Sequence, residues 1–254
     1  MAPDSRDTAL RWLLPALVVA ALIGIWQLAA DLHALGIEPF LVASPSEIAK
    51  ALWEDRSLLA ENAWVTLQEI VLGFACALTV GLAFALALHL SETLRLAFYP
   101  LLVASQTIPV IVIAPILILW FGFGIGPKLV IVALICFFPI TVNTLDGLRS
   151  VDPDAVKMMR TLDAGRWAVL RRVEAPTALP YTFSGAKIAI AVAVIGAVFG
   201  EAAGATKGLG VLIIQANNQL LVPRSFAAVV VLSAMAITLF RLVALAERRV
   251  VRWR

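Results

Sequence analysis

Charge is scarce in this chain: Asp, Glu, Lys and Arg make up 15% of its 254 residues, against about 25% in ordinary soluble domains. Histidine and cysteine are scarcer still, at two of each. Cys76 and Cys136 sit in apolar runs with no Cys or His at metal-ligand spacing. No metal centre follows from them, and both are expected to be buried as small apolar residues. With only His33 and His89, no His/Glu cluster or nucleophile–base pair is visible, which argues against an enzyme. The net charge of +3 comes without a basic stripe interleaved with aromatics, so nucleic acid is not an expected partner. A phosphate-binding GxxxxGK[ST] loop is also missing: Gly204 to Gly208 reads GATKG and has neither the spacing nor the ending. No cofactor is expected, and the chain itself should not hydrolyse ATP.

What the chain has in excess is apolar surface. It is 61% hydrophobic with a mean hydropathy of +0.95, the composition of an integral membrane protein whose solvent is the lipid bilayer. A helix needs about 20 mostly apolar residues to cross hydrocarbon. Six such runs are present, near Leu13–Ala30, Ala63–His89, Leu96–Phe121, Lys128–Leu145, Ala178–Gly200 and Phe226–Ala246. The expected fold is all-α and polytopic, with about six transmembrane helices. Arg6 and Arg11 give the first run the look of a signal peptide, but it is long enough to span and no small-x-small cleavage site follows.

Basic residues orient the chain. Thirteen (Arg6, Arg11, Arg95, Arg149, Lys157, Arg160, Arg166, Arg171, Arg172, Arg248, Arg249, Arg252, Arg254) fall on one side of a six-span layout and five (Lys50, Arg56, Lys128, Lys207, Arg224) on the other. The bias predicts that both termini face the cytoplasm. Residues 1–12 and 248–254 are then cytoplasmic tails flanking a transmembrane domain over 13–247, whose loop at about 150–176 also faces inward.

Local chemistry marks several boundaries. Ser44-Pro45-Ser46-Glu47 reads as a capping box opening a short surface helix on the outer side. Pro100, Pro109 and Pro115 should bend or break the third span. In the fifth, Gly185, Ala189, Ala193 and Ala197 recur every four residues, with Gly196, Gly200 and Gly204 on a second row. Small residues at this spacing serve close helix packing, within one subunit or between two.

The stretch RTLDAGRWAVLRRVEAPTALPY, Arg160–Tyr181, is too charged to lie in hydrocarbon. Asp152-Pro153-Asp154 starts a helix that should run to about Leu162. Asp163-Ala164-Gly165 supplies a turn, Arg166–Val173 resumes helical spacing, and Pro176 and Pro180 should end that second helix before the fifth span. Met158, Met159 and Leu162 are apolar on the first of these helices, Trp167 and Leu170 on the second. Either this is a solvated connector whose arginines enforce orientation, or it is a surface for another protein.

The loop resembles the signature of permease subunits of binding-protein-dependent ABC importers: Glu-Ala-Ala, three residues, Gly, nine residues, Ile-x-Leu-Pro. It falls here on Lys157-Met158-Met159, Asp163 and Val173-Glu174-Ala175-Pro176, with lysine for glutamate, methionines for alanines and aspartate for glycine. Aspartate tolerates a left-handed helix end better than most residues. Ser44–Glu47, PILILWFGFG over Pro115–Gly124, Phe138-Pro139-Ile140 with Asn143-Thr144, and EAAGATKGLGVL over Glu201–Leu212 are similar to the branch carrying sulfonates, taurine, nitrate, riboflavin or pyrimidine precursors of thiamine. Ser105-Gln106-Thr107-Ile108-Pro109 looks more like its vitamin-precursor members.

The resemblance implies a type I importer fold in the bacterial cytoplasmic membrane. It implies as partners a second permease copy, a separate ABC ATPase that binds the ATP, and a periplasmic or lipid-anchored substrate-binding protein. It places ATPase coupling on Asp154, Lys157, Met158, Met159, Thr161, Leu162, Asp163, Ala164, Arg166 and Trp167. An ion-coupled secondary transporter is the main rival. Such carriers place ionisable groups deep in the bilayer, whereas Glu69, His89, Lys187, Glu201 and Arg241 all fall near predicted span ends. Polar residues of the central spans and last outer loop, namely Gln106, Thr107, Asn143, Thr144, Glu201, Gln215, Asn217 and Asn218, are the candidates for the translocation path. Asn143 could instead bond between helices, and Gln215 to Gln219 could cap a short helix.

Overall fold

The computed structural model describes residues 5–31 and 43–252. His33, Arg254 and the outer parts of the two predicted tails lie outside the described residues. Every regular element described is helical. In chain order these are α1 (Ser5–Asp31), α2 (Pro45–Glu54), α3 (Arg56–Leu90), α4 (Glu92–Ser105), α5 (Val110–Phe121), α6 (Ile125–Arg149), α7 (Pro153–Thr161), α8 (Arg166–Val169), a π-helical turn (Leu170–Glu174), α9 (Ala175–Ala202), α10 (Leu209–Asn218) and α11 (Val222–Val250).

Four helices among the described residues are long and apolar enough to cross a membrane: α3, α6, the continuous helix Arg166–Ala202, and α11. Counting α4 and α5, which are bent by 101° at their break, as one span brings the number to five. This count, made of the described residues, differs slightly from the expected six, because the described apolar part of α1, Leu17–Ala30, is shorter than a span. Of the three prolines expected to bend the third run, Pro109 sits at the break as the N-cap of α5, while Pro100 and Pro115 lie inside α4 and α5.

A second expectation fails at Pro176 and Pro180. The helix that starts at Arg166 does not end there but runs through to Ala202. Just before Pro176 the amide of Ala175 reaches back to Leu170 O, a bond one residue longer than the α-helical one. The widened turn accommodates a proline that has no amide to donate and a ring that crowds the preceding turn.

The chain divides into two compact units, one from Met1–Ala60 and Leu212–Val230, the other from Glu61–Val211 and Val231–Arg254. In the first, the predicted capping box is present: Ser44 Oγ accepts from Glu47 N at 3.3 Å, and Glu47 accepts from Ser44 N at 2.8 Å. Gln27 accepts from Ser46 N at 3.0 Å, which ties α1 to the start of α2. Arg224 holds Asp55 with two parallel bonds at 2.7 and 2.8 Å.

The second unit is built on α6 and α9. Its core joins Ile70 and Ala77 of α3, Val132, Cys136 and Ile140 of α6, and Ala189, Ile190, Ala193 and Ala197 of α9. Helices in hydrocarbon associate by close contact rather than by exclusion of water, and the small residues permit it. A Cβ on Gly185 would lie 2.5 Å from Pro139 O, and one on Gly196 would lie 3.0 Å from Ile135 Cδ1. These rows therefore pack within one subunit. Cys136 is buried and its thiol points at Ala189 O at 3.3 Å, but Cys76, also expected inside, is exposed on α3.

Candidate functional site

The loop between α6 and α9 carries the predicted coupling residues in one continuous piece. Asp152 caps α7 by accepting from Asp154 N at 2.9 Å, and Pro153 takes the first helical position. At the other end Thr161 donates to Met158 O at 2.7 Å, and the amide of Ala164 reaches Met159 O at 3.0 Å. Asp163 has φ of 60°, the left-handed conformation in which its side chain is tolerated. Gly165 then opens α8 in an extended conformation.

The turn leaves apolar side chains without cover: Met158 is 61% exposed, Leu162 71% and Trp167 69%. Met159 and Ala164 are half-buried. Lys157 and Asp154 are both well exposed and pair with each other at 2.8 Å, so the lysine standing at the glutamate position has a local partner.

Two contacts that the sequence did not reveal bind this loop to α3. His89 Nε2 lies 2.9 Å from Glu174 Oε2, with both side chains mostly buried. Arg166 donates to the carbonyl of Leu90, the last residue of α3. His89, Arg160, Ala164, Arg166, Val169 and Glu174 line a cleft of about 550 Å³.

The predicted path residues are distributed over several elements. Gln106 and Thr107 are exposed at the break between α4 and α5, with Thr107 donating to Ala104 O at 2.8 Å. Asn143 is half-buried on α6 and donates to Pro139 O of its own helix at 2.8 Å, rather than to another helix. Thr144, beside it, is buried, and its hydroxyl has no hydrogen-bond partner among the described residues. Gln215, Asn217 and Asn218 are exposed on the last turns of α10, in the other compact unit.

Glu201 is different: it is 1% exposed and fully engaged. It accepts from Thr66 Oγ1 at 2.5 Å and from the amide of Gly210. Thr66 accepts from Leu209 N at 2.9 Å, and Asn62 from Gly208 N at 2.8 Å. The opening amides of α10, which no helix can satisfy internally, are thus capped by side chains of α3 and α9. Next to them lies a buried ion pair that sequence reasoning missed, Lys128 to Glu69 at 2.5 Å. The six-span layout puts Lys128 on the outer side, at the start of the fourth run, and Glu69 near a span end. The available signal was the acidic residue inside the apolar run of α3, but its partner lies 59 positions away.

Residues 77–252 match the family model described as the binding-protein-dependent transport system inner membrane component. Three relatives resemble the chain along nearly all of its length. A probable ABC transporter permease protein of Haemophilus influenzae is 40% identical over 91% of this chain and 94% of its own. The formylaminopyrimidine transport permease protein ThiX of Halalkalibacterium halodurans is 37% identical over 94% of this chain and 95% of its own. The riboflavin transport system permease protein RibX of Chloroflexus aurantiacus is 38% identical over 94% and 89%. Among solved structures, the MetNI methionine ABC transporter in an inward-facing conformation matches with a TM-score of 0.64 over 78% of this chain and 96% of that chain, at 21% identity. That last likeness is one of fold.

Proposed function

The chain belongs to the inner-membrane components of binding-protein-dependent transport systems, and from that premise we propose that it forms the translocation path for a substituted pyrimidine or a flavin. As a permease subunit of an ABC importer it is a transport component rather than an enzyme, and ATP hydrolysis belongs to a separate subunit. The observation that carries the substrate class is the similarity, over nearly the full length, to permeases named for formylaminopyrimidine and riboflavin.

Charge on the expected outer side agrees with an uncharged or weakly charged solute. Lys50 pairs with Glu54, Lys128 with Glu69, Lys207 with Glu61 and Arg224 with Asp55, while Arg56 lies 4.9 Å from the ring of Trp53. Among the described residues four of these five cations are balanced by a carboxylate, which leaves little net positive charge on that side to attract sulfonate or nitrate.

In this reading two copies of the chain sit in the cytoplasmic membrane with both termini inside, each docked on one ATPase subunit through the segment Asp154–Trp167. The apolar side chains of Met158, Leu162 and Trp167 supply the docking surface. ATP-driven closure of the ATPases moves that segment, and the rigid helix that follows it, Arg166–Ala202, carries the displacement into the membrane. Subunit counting on the purified complex and a C-terminal reporter fusion test the assembly and the orientation. A reporter active only outside the cytoplasm overturns the orientation.

The substrate is tested by titrating the cognate binding protein with formylaminopyrimidine, riboflavin, taurine and nitrate. Tight binding of a pyrimidine or riboflavin, with none of the anions, is expected. Tight binding of taurine or nitrate alone would overturn it.

A further inference from the structure

α3 is a single helix of 35 residues, about 52 Å long at 1.5 Å per residue, with no proline inside it. Near its C-terminal end His89 pairs with Glu174 at 2.9 Å, and the carbonyl of Leu90 accepts from Arg166. Both partners belong to the segment that leads from the coupling loop into α9. Toward its other end Asn62 and Thr66 hold the amides of Gly208 and Leu209, and Thr66 binds Glu201. One unbroken rod therefore touches the loop at one end and the caps of α10 at the other.

We propose that His89 and Glu174 are positioning residues that make α3 a mechanical link, so that displacement of the loop reaches the Asn62–Thr66–Glu201 cluster and the start of α10. The loop is joined covalently only to α6 and α9. Without the His89–Glu174 contact, its movement would reach α3 only through the single Arg166 bond to the Leu90 carbonyl and through side-chain packing. With it, the rod must follow the loop, because a mostly buried hydrogen-bonded pair resists separation more than an exposed one does. The inference rests on the reading that Asp154–Trp167 docks the ATPase.

The test uses the full permease–ATPase complex in nanodiscs and compares it free and trapped with ATP and vanadate. Amide hydrogen exchange is followed in a peptide containing Gly208, Leu209 and Gly210. In the native complex, trapping should change exchange there by at least about fivefold, the lower end of ordinary coupling between sites. Glu174→Ala should shrink that change below about twofold, under the lower end of that coupling scale, while ATP is still hydrolysed and the subunits stay associated. The exchanged pair, His89→Glu with Glu174→His, should restore it.

A native complex with no response at these amides overturns the proposal. So does a Glu174→Ala complex that keeps the full response. If Glu174→Ala fails to assemble, His89→Ala takes its place: the response should again fall below about twofold, and a full response overturns the link. The docking reading is tested separately by Leu162→Asp, at an exposed position: if assembly and response survive that change, the docking has failed and the link with it. If Leu162→Asp dissociates the complex while Glu174→Ala keeps the response, only the link has failed.

Discussion

Thr66 donates its hydroxyl to Oε1 of Glu201 at 2.5 Å, across 135 positions of sequence. Both side chains are almost completely buried. The same two residues accept the amides of Leu209 and Gly210, so two helices cap a third at a place water does not reach. Removing either side chain strands buried donors, which costs more than the bond itself contributes.

Glu201→Ala should lower the unfolding free energy of the detergent-solubilised chain by about 2–4 kcal/mol, because a buried acceptor is lost, the amide of Gly210 is orphaned and Thr66 keeps only Asn62 O at 3.2 Å. Thr66→Val keeps the volume and should cost about 1–2 kcal/mol. Denaturant titration monitored by tryptophan fluorescence gives both values. A loss below about 0.5 kcal/mol for Glu201→Ala, the size of an ordinary surface change, would mean that the cluster contributes little to the fold.

Gly208 has φ of +133°, a conformation L side chains rarely adopt, and a Cβ there would fall on the carboxylate of Glu201. Gly208→Ala is expected to destabilise by about 2–4 kcal/mol, strain and overlap acting together. Gly24→Ala is the control: nothing lies within 4 Å of its Cβ, and alanine in a helix should raise stability by up to about 1 kcal/mol. Equal melting temperatures for the two variants would contradict this account.

Leu162→Asp and Trp167→Ala should each weaken association with the ATPase by at least about 30-fold, the scale of an interface hot spot, while the isolated permease unfolds as the wild type does, since both side chains are exposed. Lys157→Glu should have a much smaller effect on association, because Lys157 already has Asp154 as a partner at 2.8 Å. Pull-down with titrated ATPase measures all three. A strong loss for Lys157→Glu with none for Leu162→Asp would show that charge, and not apolar contact, carries the docking.

Features that depend on a few neighbouring residues were legible in the sequence. The box at Ser44 and Glu47, the cap at Asp152 and the left-handed Asp163 all appear where their side chains predict them. Each is decided within one helical turn, where the competing conformations are few. The apolar runs were legible for a related reason: a span is one segment satisfying its own backbone, so composition alone locates it. Prolines were read less well. The same residue breaks the chain at Pro109 and is absorbed at Pro176, because a π-helical turn can widen the helix ahead of it.

Pairings between helices were not legible. Glu69 with Lys128, Glu201 with Thr66 and His89 with Glu174 join residues 59, 135 and 85 positions apart. Each helix alone shows a lone polar residue in or beside an apolar run, compatible with a pore lining, a lipid-interface anchor or a buried pair. Which of these it becomes depends on the helix packed opposite. Sequence by itself therefore determined the membrane class, most of the helices and the turn between α7 and α8, all of them products of local hydrogen bonding and hydropathy. Only the tertiary structure decided that Glu201 lies inside the protein as the cap of α10, because a buried carboxylate needs donors, and the helix that supplies Thr66 is brought to it by packing alone.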